Sequence, residues 1–391
     1  MNAHRWVVVA DSAFLPARGG GEREHLGFVR AAADRGALAL LVVPTKGVLD
    51  VRPYQELAAG LPVLPSPRRT NPLLLGHPTR PYVVASRPAA ADLVHRARAL
   101  APDATGVVVF SYKSWRIGEA LARGLDLPAV LRQHNLEGAY HRSLAQQTSG
   151  LRGLVLRWES ARITRDERRV DRAPWLRAVA DISAYDAGRR RRRGAPAVHV
   201  PPFAFDARLA ALPRRPDQRR RVLFLGALDV ATNTAAVDWL LSGPWRAVRS
   251  EVPGAVLEIV GRGPSPALRT RLAGEPGVIL HADVPEVHSF LSTAAVALNP
   301  AVAGSGVNIK LVDYLQAGIP VVSTTLGSQG LHLGAGEDLE VHDDPAAFAR
   351  AVVALLRDPA RAEDLGAAGR RTIAAMLDPA ANIRRLEESF G

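Results

Sequence analysis

AVAGSGVNIKLVDYLQAGIPVVSTTLGSQGL, residues 301–331, contains a glycine-spaced loop, then a segment with helical periodicity, then a β-branched run. Gly318 suits the left-handed residue that follows a helix C-terminus, and Pro320 prevents the helix from continuing. The apolar β-branched residues after Pro320 have the pattern of a buried strand. A loop, a helix and a buried strand in this order predict one repeat of a parallel α/β sheet.

The same stretch carries a lysine and a carboxylate just behind the glycines. Gly304 and Gly306 let the backbone approach a ligand closely, and a helix N-terminus attracts anions. Lys310 falls in the first helical turn, where the helix dipole disfavours a cation unless an anion binds there. Asp313 is three residues further on and shares the face of Lys310. These features suit a nucleotide diphosphate, although a surface Lys–Asp pair on an ordinary α/β repeat would show the same residues.

Short apolar strands alternating with helical segments extend this pattern along the chain. The predicted strands of the first half lie within 6–9, 37–45, 105–112, 128–135, 176–183 and 198–206. Those of the second half lie within 220–228, 255–263, 277–284, 296–301, 320–325 and 339–344. Continuous apolar strands separated by helices indicate parallel sheets covered on both faces. The predicted fold class is therefore α/β, with two doubly wound, Rossmann-like domains facing across a cleft that holds the ligand.

The domain boundaries follow from length and local composition. A chain of 391 residues favours two domains rather than one core. We predict an N-terminal domain at 1–205, a linker at 206–221, a C-terminal domain at 222–377 and a last helix at 378–391. Arginine runs and prolines mark the linker, and Pro379 starts the last helix anew. That helix is expected to pack back on the N-terminal domain.

Composition excludes several kinds of protein. The chain has no cysteine, so disulfides, thiolate metal sites and cysteine nucleophiles are excluded. No apolar run is long enough for a signal peptide or a membrane span, and a cytoplasmic location is expected. The formal net charge of +12 would suit nucleic acid, an anionic membrane surface or acidic small substrates. Stacking on nucleic acid needs aromatics among the basic runs, and aromatic content is only 5%, so no nucleic-acid partner is predicted.

Two features of the middle of the chain are relevant to whether the protein associates with a membrane surface. The runs GRRRRRG (188–194) and PRRPDQRRR (213–221) are expected to be solvated loops. The region 138–193 combines arginines with an apolar set: Leu144, Leu151, Leu154, Val155, Leu156 and Trp158. This pattern fits peripheral association with the inner membrane face. A helix packed on its own domain would show the same pattern, and Glu159, Asp166 and Glu167 would repel an anionic surface.

The second half resembles the C-terminal domain of retaining glycosyltransferases of family 4 (glycosyl transferases group 1), which have the GT-B fold. The resemblance covers roughly 150 residues and is carried by FLGALDVATNTAAVDWLL, VPGAVLEIVGRGP, GVILHADVPEVHSFLSTAAVALNPAVAGSGVNIKLVDYLQAGIPVVSTTLGSQGL and DDPAAFARAVVALLRDPARAEDLGAAGR. It looks similar to a branch of the family with a Gly-Ser-Gly loop. The resemblance implies transfer of a sugar from a nucleotide diphosphate sugar to an unknown acceptor hydroxyl, with retention of configuration. It implies no metal and no other cofactor.

The resemblance also assigns donor residues. Asp313 stands where the family has a ribose-binding glutamate, whereas Ser305 replaces a second glutamate. Ala227 and Thr232 stand where many members carry an Arg and a Lys that grip the diphosphate, so Lys310 is expected to take more of that charge, with Arg23 or Arg262. The donor-binding residues that the resemblance implies are Asp313, Gly304, Ser305, Gly306, Asn308, Asp283, Val284, Gly226, Asn233 and Arg262.

The first half matches the family's acceptor domain more loosely, through GGGEREHLGFVRAAADRG, LRQHNLEGAYHRS and VADISAYD. The glycines Gly19, Gly20 and Gly21, with Arg23, match a loop that approaches the phosphates and the acceptor. His134 matches a histidine that contacts the transferred sugar, so Lys310 and His134 are the expected catalytic residues. Asn135 and Glu137 follow at the same strand end, with Glu137 open between acceptor binding and helix capping.

Two other interpretations remain open from the residues alone. A nucleotide-sugar epimerase of the same fold would need acid/base pairs and no acceptor. A catalytically silent scaffold would explain the missing Arg and Lys. Within a transferase, no carboxylate is placed as a glycosidase-like nucleophile, which favours front-side displacement in which the leaving phosphate takes the acceptor proton. The donor sugar, the nucleobase and the acceptor stay undefined by sequence.

Overall fold

The structure is a computed structural model that describes residues 4–17, 19–216 and 220–391. The chain divides into two compact units. Unit 1 comprises Met1–Ala145, Ser149–Ala204 and Leu377–Gly391, and unit 2 comprises Gln146–Thr148 and Phe205–Met376. Each unit is built around one parallel β-sheet.

Unit 1 contains a seven-stranded sheet in the order β3-β2-β1-β4-β5-β6-β7. Its strands are β1 (Trp6–Val9), β2 (Leu38–Thr45), β3 (Val63–Pro67), β4 (Gly106–Phe110), β5 (Ala129–Gln133), β6 (Leu176–Asp181) and β7 (Ala197–His199). Apolar side chains project from both faces of the sheet. Trp6 and Val8 pack in one hydrophobic core, and Val7 and Val9 pack in the other. Burial on both faces explains why these strands are continuous apolar runs.

The helices of unit 1 cover the two faces of this sheet. They are α1 (Gly20–Asp34), α2 (Arg52–Gln55), α3 (Tyr82–Ala85), α4 (Leu93–Leu100), α5 (Trp115–Leu125), α6 (Glu137–Gln146), α7 (Gly150–Val170) and α8 (Ala184–Arg191), with 3₁₀ turns at Pro72–Gly76 and Tyr112–Ser114. One strand, β3, lies outside the sequence prediction. It contains Pro65 and Pro67 and runs along the edge of the sheet, where a missing N–H is tolerated.

Unit 2 contains a six-stranded sheet in the order β10-β9-β8-β11-β12-β13. Its strands are β8 (Arg221–Leu225), β9 (Val256–Gly261), β10 (Val278–Ala282), β11 (Val296–Asn299), β12 (Val321–Ser323) and β13 (Glu340–Val341). Its helices are α9 (Ala207–Ala210), α10 (Ala231–Leu241), α11 (Pro244–Glu251), α12 (Pro266–Gly274), α13 (His288–Thr293), α14 (Ile309–Gln316), α15 (Thr325–Ser328), α16 (Pro345–Arg357) and α17 (Pro359–Met376). The opening stretch thus forms the loop before α14, α14 itself and β12, and Gly318 has the left-handed φ of 69° that its position predicts.

The last helix, α18 (Pro379–Glu388), belongs to unit 1, where Phe390 stacks on Trp6 with ring centroids 5.8 Å apart. The described part of the segment 206–221, expected to be a linker, packs within unit 2. It forms α9, and Arg214 donates to the carbonyls of Leu291 at 2.9 Å and Ala294 at 2.7 Å. These hydrogen bonds from Arg214 hold the segment against unit 2, although its composition had predicted a linker.

The arginine run 188–194 differs from its prediction as a solvated loop. Most of it is helical in α8, and Arg190 is 0% exposed. One face of α8 turns toward the sheet, so the helical period places one arginine of the run inside while Arg191 and Arg192 stay exposed.

Candidate functional site

The strand order of each unit places two chain segments side by side at the carboxyl edge of its sheet. In unit 1 the chain leaves β1 and β4, which are neighbours, and in unit 2 it leaves β8 and β11. Neighbouring parallel strands whose connections run in opposite directions leave a crevice at their carboxyl ends, where ligands of such sheets bind. Some of the candidate residues follow these strands, and the others follow β5, β9 and β10 at the same carboxyl edges.

In unit 2 the crevice is formed by the first turns of two helices. Lys310 is the second residue of α14, and its Nζ donates to Asn233 Oδ1 of α10 at 2.7 Å. The Lys310 ammonium also lies 4.3 Å from the centroid of the Phe224 ring. Burial lowers the pKa of Lys310 to about 7. An amine that is close to half protonated at neutral pH gains its full charge when an anion arrives beside it.

Gly226 allows this convergence. A Cβ at position 226 would lie 3.0 Å from Asn233 Cγ and 3.2 Å from Lys310 Nζ, closer than ordinary van der Waals contact. The amide of Asn233 donates in turn to the Ala227 carbonyl at 3.0 Å. Asn308, the N-cap of α14, lines the same small cleft as Asn233 and Lys310. The structure therefore brings four predicted donor residues to one point.

The loop before α14 takes the shape that its glycines permit. Gly304 and Gly306 have φ angles of 130° and 81°, in the region that favours glycine. Ser305, between them, has a buried Oγ without a hydrogen-bond partner among the described residues. Asp313 is 9% exposed and lies one turn after Lys310. Next to it, the hydroxyl of Tyr314 accepts the N–H of Leu225 at 2.6 Å and fixes α14 to β8.

The remaining donor candidates lie on the loops after β9 and β10. Asp283 has a left-handed φ of 57°, and its carboxylate accepts the Gly263 N–H and an Arg269 N–H, each at 2.7 Å. These two hydrogen bonds hold the pKa of Asp283 below its usual value. Val284 is half-buried beside it. Arg262 lies 3.9 Å from Asp229 in a loose, exposed pair, so its side chain is available to a ligand at little electrostatic cost.

In unit 1 the three glycines cap a helix rather than preceding it as a loop. Gly19 is the N-cap of α1, its N–H donates to Glu22 at 2.8 Å, and Gly20 and Gly21 are the first helical residues. Arg23 follows in the same turn and is half-buried. A Cβ at Gly21 would lie 3.7 Å from His134 Nδ1, so the α1 N-terminus and the residue after β5 are adjacent.

The side chain of His134 is largely buried beside His25 and Phe110. Burial and the neighbouring His25 hold the pKa of His134 well below its usual value, so its ring is neutral. The two imidazoles meet edge to face with centroids 5.1 Å apart, and His25 Nδ1 donates to the Gly21 carbonyl at 2.7 Å. A neutral imidazole offers one donor and one acceptor, which suits hydroxyl groups.

Sequence reasoning missed the charged partners of this site. Lys113, after β4, lies 3.6 Å from Asp11 Oδ2 and 3.2 Å from Glu137 Oε1. Burial would raise the pKa of Asp11, but Lys113 and neighbouring cations hold it well below its usual value. Burial would lower the pKa of Lys113, but Glu137 and Asp11 raise it, so it stays charged. The available signal was positional, since Asp11 and Lys113 each directly follow a buried strand at the carboxyl edge.

A buried ion cluster supports the loop that carries His134 and Asn135. Glu167 of α7 accepts the N–H groups of Glu137 at 3.0 Å and Gly138 at 3.3 Å, which caps α6. Arg190 binds Glu167 at 2.9 Å and donates to the Asn135 carbonyl at 3.4 Å. The same guanidinium binds Asp171 and Asp181, and burial raises the pKa of Asp181 to about 8.

Helix α7 exposes part of its apolar set. Leu151 and Trp158 are 77% and 50% exposed, and Leu154 and Val155 lie on the same stripe. The acids expected to repel a membrane, Glu159, Asp166 and Glu167, are buried. The exposed charges near this stripe are Arg152, Arg157 and Arg165. No helix within the described residues is long and apolar enough to cross a membrane.

Among residues 4–17, 19–216 and 220–391, no three His, Asp or Glu side chains are grouped as ligands for a metal ion.

Comparison with known proteins relates unit 2 to a family and both units to a fold. Residues 219–358 match the family Glycosyl transferases group 1, in agreement with the resemblance noted in the sequence. A segment of 139 residues is 29% identical to an uncharacterized 44.6 kDa protein in the cps region of Klebsiella pneumoniae and covers 34% of this chain and 36% of that protein. A segment of 215 residues is 30% identical to phosphatidyl-myo-inositol mannosyltransferase of Mycobacterium leprae and covers 51% of this chain and 56% of that protein. The matches thus span only about a third and about half of these two relatives.

Solved structures match along nearly the whole chain. HepE of Anabaena in complex with UDP-glucose has a TM-score of 0.67 at 14% identity and covers 99% of both chains. Sucrose-phosphate synthase from Thermosynechococcus elongatus has a TM-score of 0.69 at 17% identity and covers 98% of both chains. With the two parallel sheets described above, these likenesses confirm the predicted GT-B fold of two Rossmann-like domains.

Proposed function

We propose that the protein is a glycosyltransferase that moves a sugar from a nucleotide diphosphate sugar to an acceptor hydroxyl, with retention of configuration. The observation that carries the proposal is the meeting of Lys310 and Asn233 over Gly226, at the first turns of α10 and α14. The segment that matches the group 1 family includes all three residues. HepE binds UDP-glucose according to its structure, which makes uridine diphosphate sugars the first donors to test.

Lys310 stabilises the leaving diphosphate in this proposal. Because burial lowers the pKa of Lys310 to about 7 in the free protein, binding of the negatively charged donor would shift the amine to its charged form. The first N–H groups of α14 and the backbone of Gly304–Gly306 add donors to the same phosphates. Asp313 takes the ribose hydroxyls. Arg262, which has only a loose partner, is better placed than Arg23 to replace the missing Arg and Lys because it belongs to the same unit as Lys310.

Unit 1 holds the sugar and the acceptor in this proposal. His134 is neutral and hydrogen-bonds a hydroxyl of the transferred sugar, while Asn135 and Glu137 bind the acceptor. In this front-side displacement the acceptor oxygen bonds to the sugar carbon as its bond to the phosphate breaks, and the acceptor proton passes to the departing phosphate oxygen. The protein therefore contributes positioning and charge stabilisation rather than a covalent intermediate.

The test is transfer with purified protein. UDP, GDP and ADP are compared by thermal shift, since a ligand at a hundred times its dissociation constant adds about 2.7 kcal/mol of stability. Donor consumption is then followed with and without a mixture of acceptors, in buffer with EDTA. Nucleotide release that requires an acceptor and survives EDTA supports a metal-independent transferase. Sugar interconversion without an acceptor would identify an epimerase, and nucleotide binding without turnover would identify a silent scaffold.

We further propose that the protein works in the cytoplasm and associates with the inner membrane face through α7. The exposed apolar stripe of α7 is flanked by arginines, and its acids face the interior. Each arginine near an anionic surface contributes about 1 kcal/mol. One curated relative is named for phosphatidyl-myo-inositol, a lipid, and an acceptor of that kind would be reached from the membrane surface.

A further inference from the structure

A group of neighbouring side chains in unit 1 holds buried polar atoms that have no hydrogen-bond partner among the described residues. These atoms are His25 Nε2, Gln133 Nε2, His134 Nε2, Asn135 Oδ1 and Glu137 Oε2. Buried polar atoms are nearly always satisfied in folded proteins, so a concentration of unsatisfied ones indicates that a ligand completes them. The group reaches the surface through Lys113 and Asp11, whose side chains are 27% and 17% exposed.

Two of these atoms, Asn135 Oδ1 and Glu137 Oε2, can only accept a hydrogen bond, Gln133 Nε2 can only donate one, and the two imidazole nitrogens can do either. Glu137 Oε2 is a carboxylate oxygen, and its companion Oε1 is the one that meets Lys113. Asn135 Oδ1 is an amide oxygen. His25 Nδ1 donates to the Gly21 carbonyl, and its Nε2 lies 3.8 Å from Asp11 Oδ1. A ligand that satisfies these atoms must supply hydrogen-bond donors to the two oxygens and an acceptor to Gln133 Nε2. Hydroxyl groups do so, whereas a phosphate dianion or a carboxylate only accepts.

The charges around these atoms also favour a neutral ligand. The two carboxylates Asp11 and Glu137 are matched by two cations, Lys113 and the buried Arg87. Lys113 is shared between both carboxylates, and Arg87 Nε donates to the Asp11 carbonyl at 2.6 Å. Both cations are therefore already engaged by groups of the site. An anion bound at the unsatisfied atoms would instead face the open oxygen of Glu137.

We propose that this site of unit 1 takes a neutral, hydroxyl-rich group, such as a sugar or cyclitol ring, and that Glu137 rejects acceptors carrying a phosphate or carboxylate at this position. The inference rests on the proposed function, because it names the class of acceptor at the same site. It adds Asp11, His25, Lys113 and Arg87 to the acceptor residues. Glu137 is the residue that decides specificity, since its Oε2, which lies 3.6 Å from His141 Nδ1, is the one charged oxygen among the five atoms.

Binding of matched probes to the full-length protein tests this inference without any donor. Saturation-transfer NMR compares methyl α-glucopyranoside and myo-inositol with glucose 6-phosphate and glucuronate. The neutral probes should bind at millimolar concentration, with each anionic probe at least tenfold weaker. Glu137→Gln keeps the side-chain size but removes the charge, and it should weaken the neutral probes several-fold while reducing discrimination against the anions to threefold or less. Asn135→Ala, which removes a different acceptor atom, should also weaken the neutral probes.

The control is Glu119→Gln, a carboxylate of unit 1 that pairs with Arg123 on the exposed side of α5. It should leave all four probes unchanged. Anionic probes that bind as tightly as neutral ones, or neutral probes that show no saturation transfer, overturn the inference. Nucleotide binding to unit 2, measured by thermal shift on the same samples, reports folding of the variants. It also separates the two claims: loss of nucleotide binding with intact sugar binding would contradict the proposed function alone.

Discussion

Lys310 Nζ lies 2.7 Å from Asn233 Oδ1, which joins the first turn of α14 to the first turn of α10. The two residues are 77 positions apart in the chain and meet because their helices follow the neighbouring strands β8 and β11. Two helix N-termini and one buried amine at a single point are the features on which the proposed diphosphate site rests. The predictions for donor binding therefore concern Lys310 and Gly226, which lies against both side chains.

Removal of the Lys310 amine should impair transfer strongly. Lys310→Ala is expected to lose on the order of 2 to 4 kcal/mol of transition-state stabilisation, because no Arg and Lys at positions 227 and 232 share the phosphate charge. The measurement is kcat/KM for the donor. Lys46→Ala, at an exposed lysine, serves as the control. Turnover of Lys310→Ala within threefold of wild type would contradict the role.

Donor binding should take up a proton. The pKa of Lys310 is about 7 in the free protein and 10.5 in its ordinary state, so at pH 8 the amine is mostly neutral until a diphosphate arrives. Titration calorimetry with UDP at pH 8, in buffers of different ionisation enthalpy, should report uptake approaching one proton. Lys310→Met should show none. Equal heats in all buffers for the wild-type protein would show that Lys310 does not meet the phosphates.

The lowered pKa of Lys310 also predicts how the free energy of unfolding changes with pH. Because the folded pKa of Lys310 is below its ordinary value, the unfolded chain binds the extra proton between about pH 7 and 10.5. The stability of wild type should therefore rise with pH relative to Lys310→Met across this window, and the difference should be constant below it. Urea unfolding of both proteins from pH 6 to pH 10 measures this. A difference that stays flat from pH 7 to 10 would indicate an amine with an ordinary pKa.

A methyl group at Gly226 should weaken donor binding. Gly226→Ala would place Cβ 3.2 Å from Lys310 Nζ and 3.0 Å from Asn233 Cγ, so one of the two must move. We expect about a tenfold rise in the dissociation constant for UDP, which is about 1.4 kcal/mol. Gly274→Ala is the matched control, because a Cβ there meets nothing within 4 Å. Equal affinities of the two variants would show that the contact is not part of the donor site.

Arg190 should be essential for the stability of unit 1. Arg190→Leu leaves Glu167, Asp171 and Asp181 buried without their cation, and breaking a buried ion cluster in this way costs about 3–5 kcal/mol. Urea unfolding measures the loss. Arg192→Leu, an exposed arginine of the same run, should change stability by less than about 0.5 kcal/mol. Similar losses for both variants would mean that the run acts only through its overall charge.

The α7 stripe should bind anionic vesicles. Wild-type protein is expected to co-sediment with vesicles containing phosphatidylglycerol at low salt and less at physiological salt, because salt screens the arginines. The double variant Leu151→Glu and Leu154→Glu should lose this binding. Leu100→Glu, at an exposed leucine of α4, should retain it. Absence of wild-type binding at both salt concentrations would leave α7 an ordinary surface helix and favour a soluble acceptor.

Much of the fold could be predicted from local patterns. Apolar runs such as Val7–Val9 mark strands buried on both faces, and Gly318 with Pro320 marks the end of α14. Lys310 at a helix N-terminus and His134 at a strand end were likewise visible, because each depends on its immediate neighbours in the chain. The edge strand β3 was missed, since its two prolines contradict the local strand pattern.

The tertiary structure alone decided which distant residues meet. Asp11 and Lys113 are separated by about a hundred positions and come within 3.6 Å because β1 and β4 pair in the sheet. The burial of Arg190 within an exposed-looking run depended on which face of α8 turns toward the sheet. Sequence periodicity determines which strands and helices form, because those are governed by interactions between near neighbours. Strand order, the pairing of charges and the pKa of Lys310 depend on long-range packing and burial, which only the folded chain determines.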